Sequence, residues 1–169
     1  MQLDDLDRNI LAILMKNASI PYTEIAKMLH VSGGTVHVRM NKLEQKGIVV
    51  GSSLRVEYAK LGYDITAFLG IYLNKSSLYE EVIRELQDIP EIVNAHYTTG
   101  AYSIFAQIVC LDTNHLRQVL HDKIQQIKGI QRTETFISLE ESINRPIDIG
   151  TELEAVSYTH LTLPTTPYV

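Results

Sequence analysis

The sequence predicts an α+β protein in two parts, a helix-turn-helix unit over residues 1–60 and a ferredoxin-like βαββαβ unit over 61–149. Three observations carry this. Apolar residues recur at helical spacing through the first 45 positions, with two short helices joined by His30-Val31-Ser32. From Ile65 onward, strand-like and helix-like segments alternate in the order βαββαβ. The charge divides at the same place. Residues 1–60 carry eight Lys/Arg against six Asp/Glu, whereas 61–149 carry seven against twelve, so the net −5 belongs to the middle and end of the chain.

Asp4 is placed to cap the first helix, with Asp5 and Asp7 in a first turn where the helix dipole favours negative charge. Leu6, Ile10, Ile13 and Leu14 form its apolar stripe. Residues 17–20 are loop-like, and Pro21 pre-sets φ for a second helix that buries Ile25, Ala26 and Leu29. Ser32 caps the third helix, which turns Val36, Met40 and Leu43 inward and ends at Gly47. Small Ala26 lets the second and third helices cross closely, and Ile25 and Val36 fill the wedge.

That packing leaves Gly33, Gly34, Thr35, His37, Val38, Asn41 and Lys42 outward. Small residues at the helix start allow its backbone to approach a DNA groove, and Ser32 offers a hydroxyl to a phosphate. Arg39 and Lys42 suit phosphates, while Thr35, His37 and Asn41 can reach base edges. A helical packing unit with merely solvated polar residues is the alternative at this point. A phosphate-cradling loop is not, because Ser32-Gly33-Gly34-Thr35 lacks both the Gly-Lys-Ser/Thr ending and a preceding strand.

Residues 48–50 and 54–58, separated by Gly51-Ser52-Ser53, read as a short hairpin in the linker, and 60–64 as a hinge. Strands are expected over 65–74, 92–98, 102–110 and 131–139, and helices over 76–88 and 114–127. Leu78, Val82 and Leu86 supply the core of the first helix; Leu116, Val119, Leu120, Ile124 and Ile127 supply that of the second. On the first strand both faces are apolar, Leu69, Ile71 and Leu73 on one and Phe68, Gly70 and Tyr72 on the other. Helices cover only one face, so the other calls for a second copy of the same sheet.

Catalytic signatures are missing. The six histidines form no His-x-x-x-His pair, so no metal or other cofactor is expected. Cys110 lies in an apolar strand as a small hydrophobe, and one cysteine excludes an internal disulfide. Neither a dinucleotide-binding glycine motif nor a Gly-x-Ser-x-Gly elbow is present. No apolar run is long enough to span a membrane, and the acidic start is unlike a signal peptide, which points to a cytoplasmic protein. What stands out is Thr99, Gly100, Ala101, Tyr102 and Ser103, a turn dense in hydroxyls and backbone N–H groups, with Thr133 and Thr135 on one face of the last strand. These groups can hold the amino and carboxylate groups of an amino acid without catalytic apparatus; an ordinary β-turn and strand-favouring threonines explain them equally well.

Specific segments resolve the choice. Leu6-Asp7-Arg8-Asn9-Ile10-Leu11, residues 31–39, 42–48, 61–64 and 97–105, and Arg132-Thr133-Glu134-Thr135 resemble the Lrp/AsnC family of feast/famine transcriptional regulators, over about residues 3–148. The Thr-Thr-Gly-x-Tyr-Ser form of the turn is most similar to the asparagine-responsive branch. The resemblance implies a winged helix-turn-helix, a RAM/ACT-like second domain, and dimers that pair through their sheets and assemble further, commonly to octamers. It implies an effector site between dimers drawing on Thr99, Gly100, Ala101, Tyr102, Ser103, Asp122, Thr133 and Thr135, and double-stranded DNA contacts through Ser32, Thr35, His37, Arg39 and Lys42. Many members carry Asp where this chain has Ser103, and His30 replaces the glycine usual between the helices; histidine tolerates positive φ better than most residues.

The expected function is therefore a DNA-binding regulator modulated by a small amino acid, asparagine. An effector-blind architectural DNA binder of the same fold is one alternative, and a small-molecule-binding or enzymatic subunit is another. Residues 150–169 lack helical period and carry two prolines, Pro164 and Pro167; they read as a disordered, non-native tail.

Overall fold

The computed structural model describes residues 3–149, so the expected tail lies outside the described residues. The chain forms two compact units, each with its own core. One runs to Leu54 and takes in the segment from Asn144; the other is Arg55–Ile143. Residues 144–149 thus join the helical head rather than the sheet unit, because Ile149 packs on the head's core and its carbonyl accepts from Arg8 at 3.3 Å.

The head contains α1 (Asp5–Lys16), α2 (Tyr22–Met28) and α3 (Gly33–Gln45). Each start follows the local chemistry. The Asp4 carboxylate accepts from the Asp7 N–H at 2.8 Å, Pro21 precedes α2, and the Ser32 hydroxyl accepts from the Thr35 N–H at 3.0 Å. Gly47, at φ +67°, closes α3 as the C′ residue. Ile10, Ile25 and Val36 are fully buried and Ala26 nearly so, as the crossing of α2 and α3 requires. His30 sits at φ +54° in the turn between them.

The linker hairpin does not form. Residues 49–57 are unpaired, with Val50 and Leu54 almost fully exposed. Two short strands without a third strand beside them gain too little to hold together.

In the second unit β1 (Ile65–Leu73), α4 (Tyr79–Gln87), β2 (Ile92–Tyr97), β3 (Ile104–Cys110), α5 (Thr113–Gln118) and β4 (Ile130–Ile137) build an antiparallel sheet of order β2-β3-β1-β4. A single 3₁₀ turn, Ser76–Leu78, leads into α4, and α5 continues as a π-helical segment, Val119–Ile124. Leu69, Ile71, Ile104, Ala106 and Ile108 are buried beneath the helices with Val82, Leu86, Val119 and Ile124. Cys110 belongs to this core, where burial pushes its thiol up to about 11. The opposite face carries Phe68 stacked on Phe105 at 5.8 Å, and Phe136 is about half exposed.

Candidate DNA-binding and effector sites

In α3 the buried positions Val36, Met40 and Leu43 leave Gly34, His37, Val38, Asn41, Lys42 and Gln45 exposed along one side. Gly33 at the helix start is half-buried, and a Cβ there would meet the Thr23 side chain only at ordinary contact distance. The Ser32 and Thr35 hydroxyls are 2.8 Å apart, so this pair organises the N-terminus that would meet a phosphate. His37 lies 6.0 Å, centroid to centroid, from Tyr22 of α2. Of the expected base-reading residues, His37 and Asn41 share one exposed surface, with Val38 as an apolar point within it, whereas Thr35 is half-buried and bonded to Ser32 at the helix start.

Arg39 is engaged within the head. Its guanidinium is turned toward α1, where it bonds to the carboxylates of Asp4 and, at 3.1 Å, Asp7. Asp7 is the one buried charged residue among those described. The hydrogen bond it donates to Asp4, seconded by that to Asp7, raises the Arg39 pKa above its ordinary value. The Asp7 N–H and then Arg39 hold the Asp4 carboxyl below its own. Two carboxylates thus already use this cation within the head. The sequence signal was present, since the Asp4/Asp7 pair at the start of α1 needed a counter-charge, but the helical wheel of α3 alone could not identify it.

At the other site, Thr98 and Ser103 close the turn, the Thr98 N–H donating to the Ser103 carbonyl at 3.0 Å and the Thr98 hydroxyl to the Tyr102 carbonyl at 2.7 Å. Gly100 has φ +119°. The Ser103 N–H donates to Ile71 of β1 at 2.9 Å, which fixes the turn to one end of the sheet. At that end Ile71 pairs with Ile104 on one side and with Thr133 on the other. Thr135 pairs with Leu69, so both threonines share the helix-side face of edge strand β4. The structure therefore places the turn and Thr133 around the same stretch of β1, with Thr135 one step further along. Asp122 lies in the π-helical segment, exposed and bonded to His121 at 2.6 Å.

Tyr102 divides its atoms. Its backbone belongs to the turn, but its hydroxyl donates to Glu134 at 2.8 Å on the outer sheet face. Glu134 also accepts from Tyr72 at 3.2 Å and from Arg132 at 2.6 Å, and the Arg132 guanidinium stands 3.7 Å over the Tyr72 ring. The bond from Tyr102 holds the Glu134 carboxyl below the usual carboxylate range against a smaller push from burial, with Tyr72 and Arg132 adding to it. Neither Glu134 nor Gly70 was expected at a site. The available signals were a glycine inside a strand and the i,i+2 spacing of Arg132 and Glu134.

Among the described residues no group of three or more His, Cys, Asp or Glu is gathered to hold a metal, and no helix is long and apolar enough to cross a membrane. Comparison with known proteins agrees with the two-unit architecture. Residues 3–50 match the winged helix-turn-helix DNA-binding family and residues 66–147 the Lrp/AsnC ligand binding domain. The chain is 46% identical to the regulatory protein AsnC of Haemophilus influenzae over 145 residues, 86% of this chain and 97% of that one. It is 45% identical to AsnC of Escherichia coli K12, covering 86% and 95%. The solved structure of E. coli AsnC superposes with a TM-score of 0.82 at 43% identity, over 88% of this chain and 99% of that one. A Neisseria meningitidis transcriptional regulator solved as an L-Met complex shares the fold at 21% identity, with a TM-score of 0.81 over 85% and 94%. With its DNA-binding head, its ligand-binding sheet unit and relatives that are named regulators, the chain belongs to the Lrp/AsnC family of transcriptional regulators.

Proposed function

We propose that this regulator reads double-stranded DNA through α3 and responds to a small amino acid, asparagine, held at the 99–103 turn between copies of the chain. It acts in the cytoplasm as a homodimer, paired through the sheets and assembled to an octamer. The observation that carries the DNA half is the exposed side of α3. Ser32, Gly33, Gly34 and Thr35 meet the phosphate backbone at its N-terminus, His37 and Asn41 meet base edges, Val38 meets a thymine methyl, and Lys42 meets a phosphate. Arg39 is reassigned to holding α3 on α1.

For the effector, the backbone N–H groups and hydroxyls of Thr99, Gly100, Ala101, Tyr102 and Ser103 suit a carboxylate and a side-chain amide. Thr133 and Thr135 supply further hydroxyls, and Asp122 is the carboxylate available to the ammonium group. β1 separates the turn from β4, so one chain leaves this set open, which favours completion by a second copy. The similarity of the Thr-Thr-Gly-x-Tyr-Ser turn to the asparagine-responsive branch of the family supports asparagine in particular, and the L-Met complex of the Neisseria neighbour supports an amino acid in general.

The test is binding to the DNA upstream of the protein's own coding sequence, with and without millimolar asparagine. A change in affinity or band pattern on adding asparagine is expected. Thr135→Val should bind DNA normally and lose that change. Salt-independent or absent DNA affinity would refute the first half, and a normal asparagine response in Thr135→Val would refute the pocket.

A further inference from the structure

Gly70 stands in the interior of β1, a strand paired on both sides, where glycine gives up packing and weakens the sheet. The structure supplies the reason. A Cβ on Gly70 would lie 2.4 Å from Cδ1 and Cε1 of Tyr102 and 2.7 Å from its Cζ, so the strand is cut away to seat this ring. Phe105 and Phe136 flank the seated ring at 5.9 and 6.2 Å, and Tyr72 meets it edge-on at 5.1 Å. Its hydroxyl ends on Glu134, the carboxylate shared with Tyr72 and Arg132. A ring that merely filled space would need neither the missing Cβ nor the shared acceptor; together they hold the side chain in one place.

The backbone of the same residue is fixed from the other side. Its carbonyl accepts from the Thr98 hydroxyl, and the next N–H belongs to the β1 ladder through Ile71. Tyr102 is therefore a member of both the 99–103 turn and the outer sheet face. We propose that Tyr102 is a positioning residue that couples them, so that a ligand held by the turn and a second copy of this chain seated on the outer face each alter the affinity for the other. This coupling rests on the proposed function for the identity of the two ligands, but its intrachain half does not. The second copy is the occupant that fits, because the face is apolar around Phe68, Phe105 and Phe136 and the Arg132–Glu134 charge pair on it is internally balanced. By linkage the coupling is reciprocal: whatever factor the ligand imposes on dimer affinity, dimerisation imposes on ligand affinity.

The experiment uses the full chain with Tyr102→Phe and Glu134→Ala, singly and together, and reads amide hydrogen exchange at 99–103 without ligand. Each single variant should raise exchange about tenfold, the scale of one lost hydrogen bond to a charged group, and the double variant no more than either alone. Asparagine affinity should fall by a comparable factor, and asparagine should shift the dimer dissociation constant of the parent but not of Tyr102→Phe. Exchange within twofold of the parent in folded Glu134→Ala overturns the coupling. A parent that ignores asparagine overturns the effector reading and leaves the exchange result to decide the coupling. The seat is tested separately: Gly70→Ala should lower the melting temperature strongly in the parent and little in a Tyr102→Ala background. Equal damage in both backgrounds overturns it.

Discussion

Replacing Arg39 with alanine separates two roles that the sequence alone could not distinguish. The Arg39 side chain, 29% exposed, joins an Asp4 side chain that is half exposed and an Asp7 side chain that is only 11% exposed. The Asp4 contact is screened by solvent and worth about 0.2–1 kcal/mol. The Asp7 bond is made to a carboxylate with little access to water, where a lost charged hydrogen bond costs about 1.5 kcal/mol or more. The head should therefore lose about 1–2 kcal/mol, which for a unit of this size is about 5–10 °C in melting temperature. Thermal unfolding followed by helical circular dichroism reads the first quantity, and DNA affinity measured over a range of salt reads the second. For a structural Arg39 the salt slope stays unchanged once binding is measured where both proteins are folded. A phosphate-contacting Arg39 gives the opposite pattern, an unaltered melting temperature with a slope shallower by about 0.9. That pattern would refute the reassignment.

Three further outcomes are expected. His30→Gly relieves a left-handed backbone at φ +54° and, after the extra chain entropy of glycine, should stabilise the head by about 0.5–1 kcal/mol; a fall in melting temperature would contradict this. Ile149→Ala removes a half-buried side chain from the head's core and should cost it about 1 kcal/mol, while ending the chain at Ile143 should cost more; neither should move the transition of the sheet unit. For Glu91, burial pushes the carboxyl up, but Lys123 at 2.7 Å, its own backbone and His115 at 3.2 Å outweigh it and hold the pKa below the ordinary value. A depressed folded-state pKa gives stability that is present above the unfolded value near 4 and lost as pH falls through the folded one. Urea midpoints of the sheet unit should therefore drop below about pH 4, and Glu91→Gln should flatten that drop while lowering the plateau.

What was legible in the sequence was whatever depends on short-range pattern. Asp4, Ser32 and Gly47 mark helix ends because caps are satisfied within three or four residues, and the alternation through β1 assigns Leu69 and Ile71 to the core without knowledge of a partner strand. The 48–58 hairpin failed for the complementary reason: its residues have strand propensity, but pairing needs a surface to bury them against. The π-helical segment is invisible to a 3.6-residue period that Val119 and Ile124 satisfy almost as well. Arg39 and Tyr102 were assigned by chain position, yet their side chains are claimed by residues 32–35 positions away, Asp4, Asp7 and Glu134. Long-range polar pairing of this kind has no periodic signature.

Those pairings bear on how the protein works. Two of the three arginines in the head are turned to structural use, Arg39 by the acids of α1 and Arg8 by the carbonyl of Ile149, leaving Lys42 as the cation on the exposed side of α3. A head that neutralises few phosphates binds DNA weakly by itself, because each phosphate contact contributes through counterion release. Linking heads turns each later contact into an intramolecular one, and affinity is then set by spacing rather than by the single interface. Under the proposed function this makes the sheet unit the determinant of DNA affinity. A ligand that never touches DNA can change occupancy steeply by altering how heads are held together, and Tyr102, seated on Gly70 and bonded to Glu134, lies where such a change would begin.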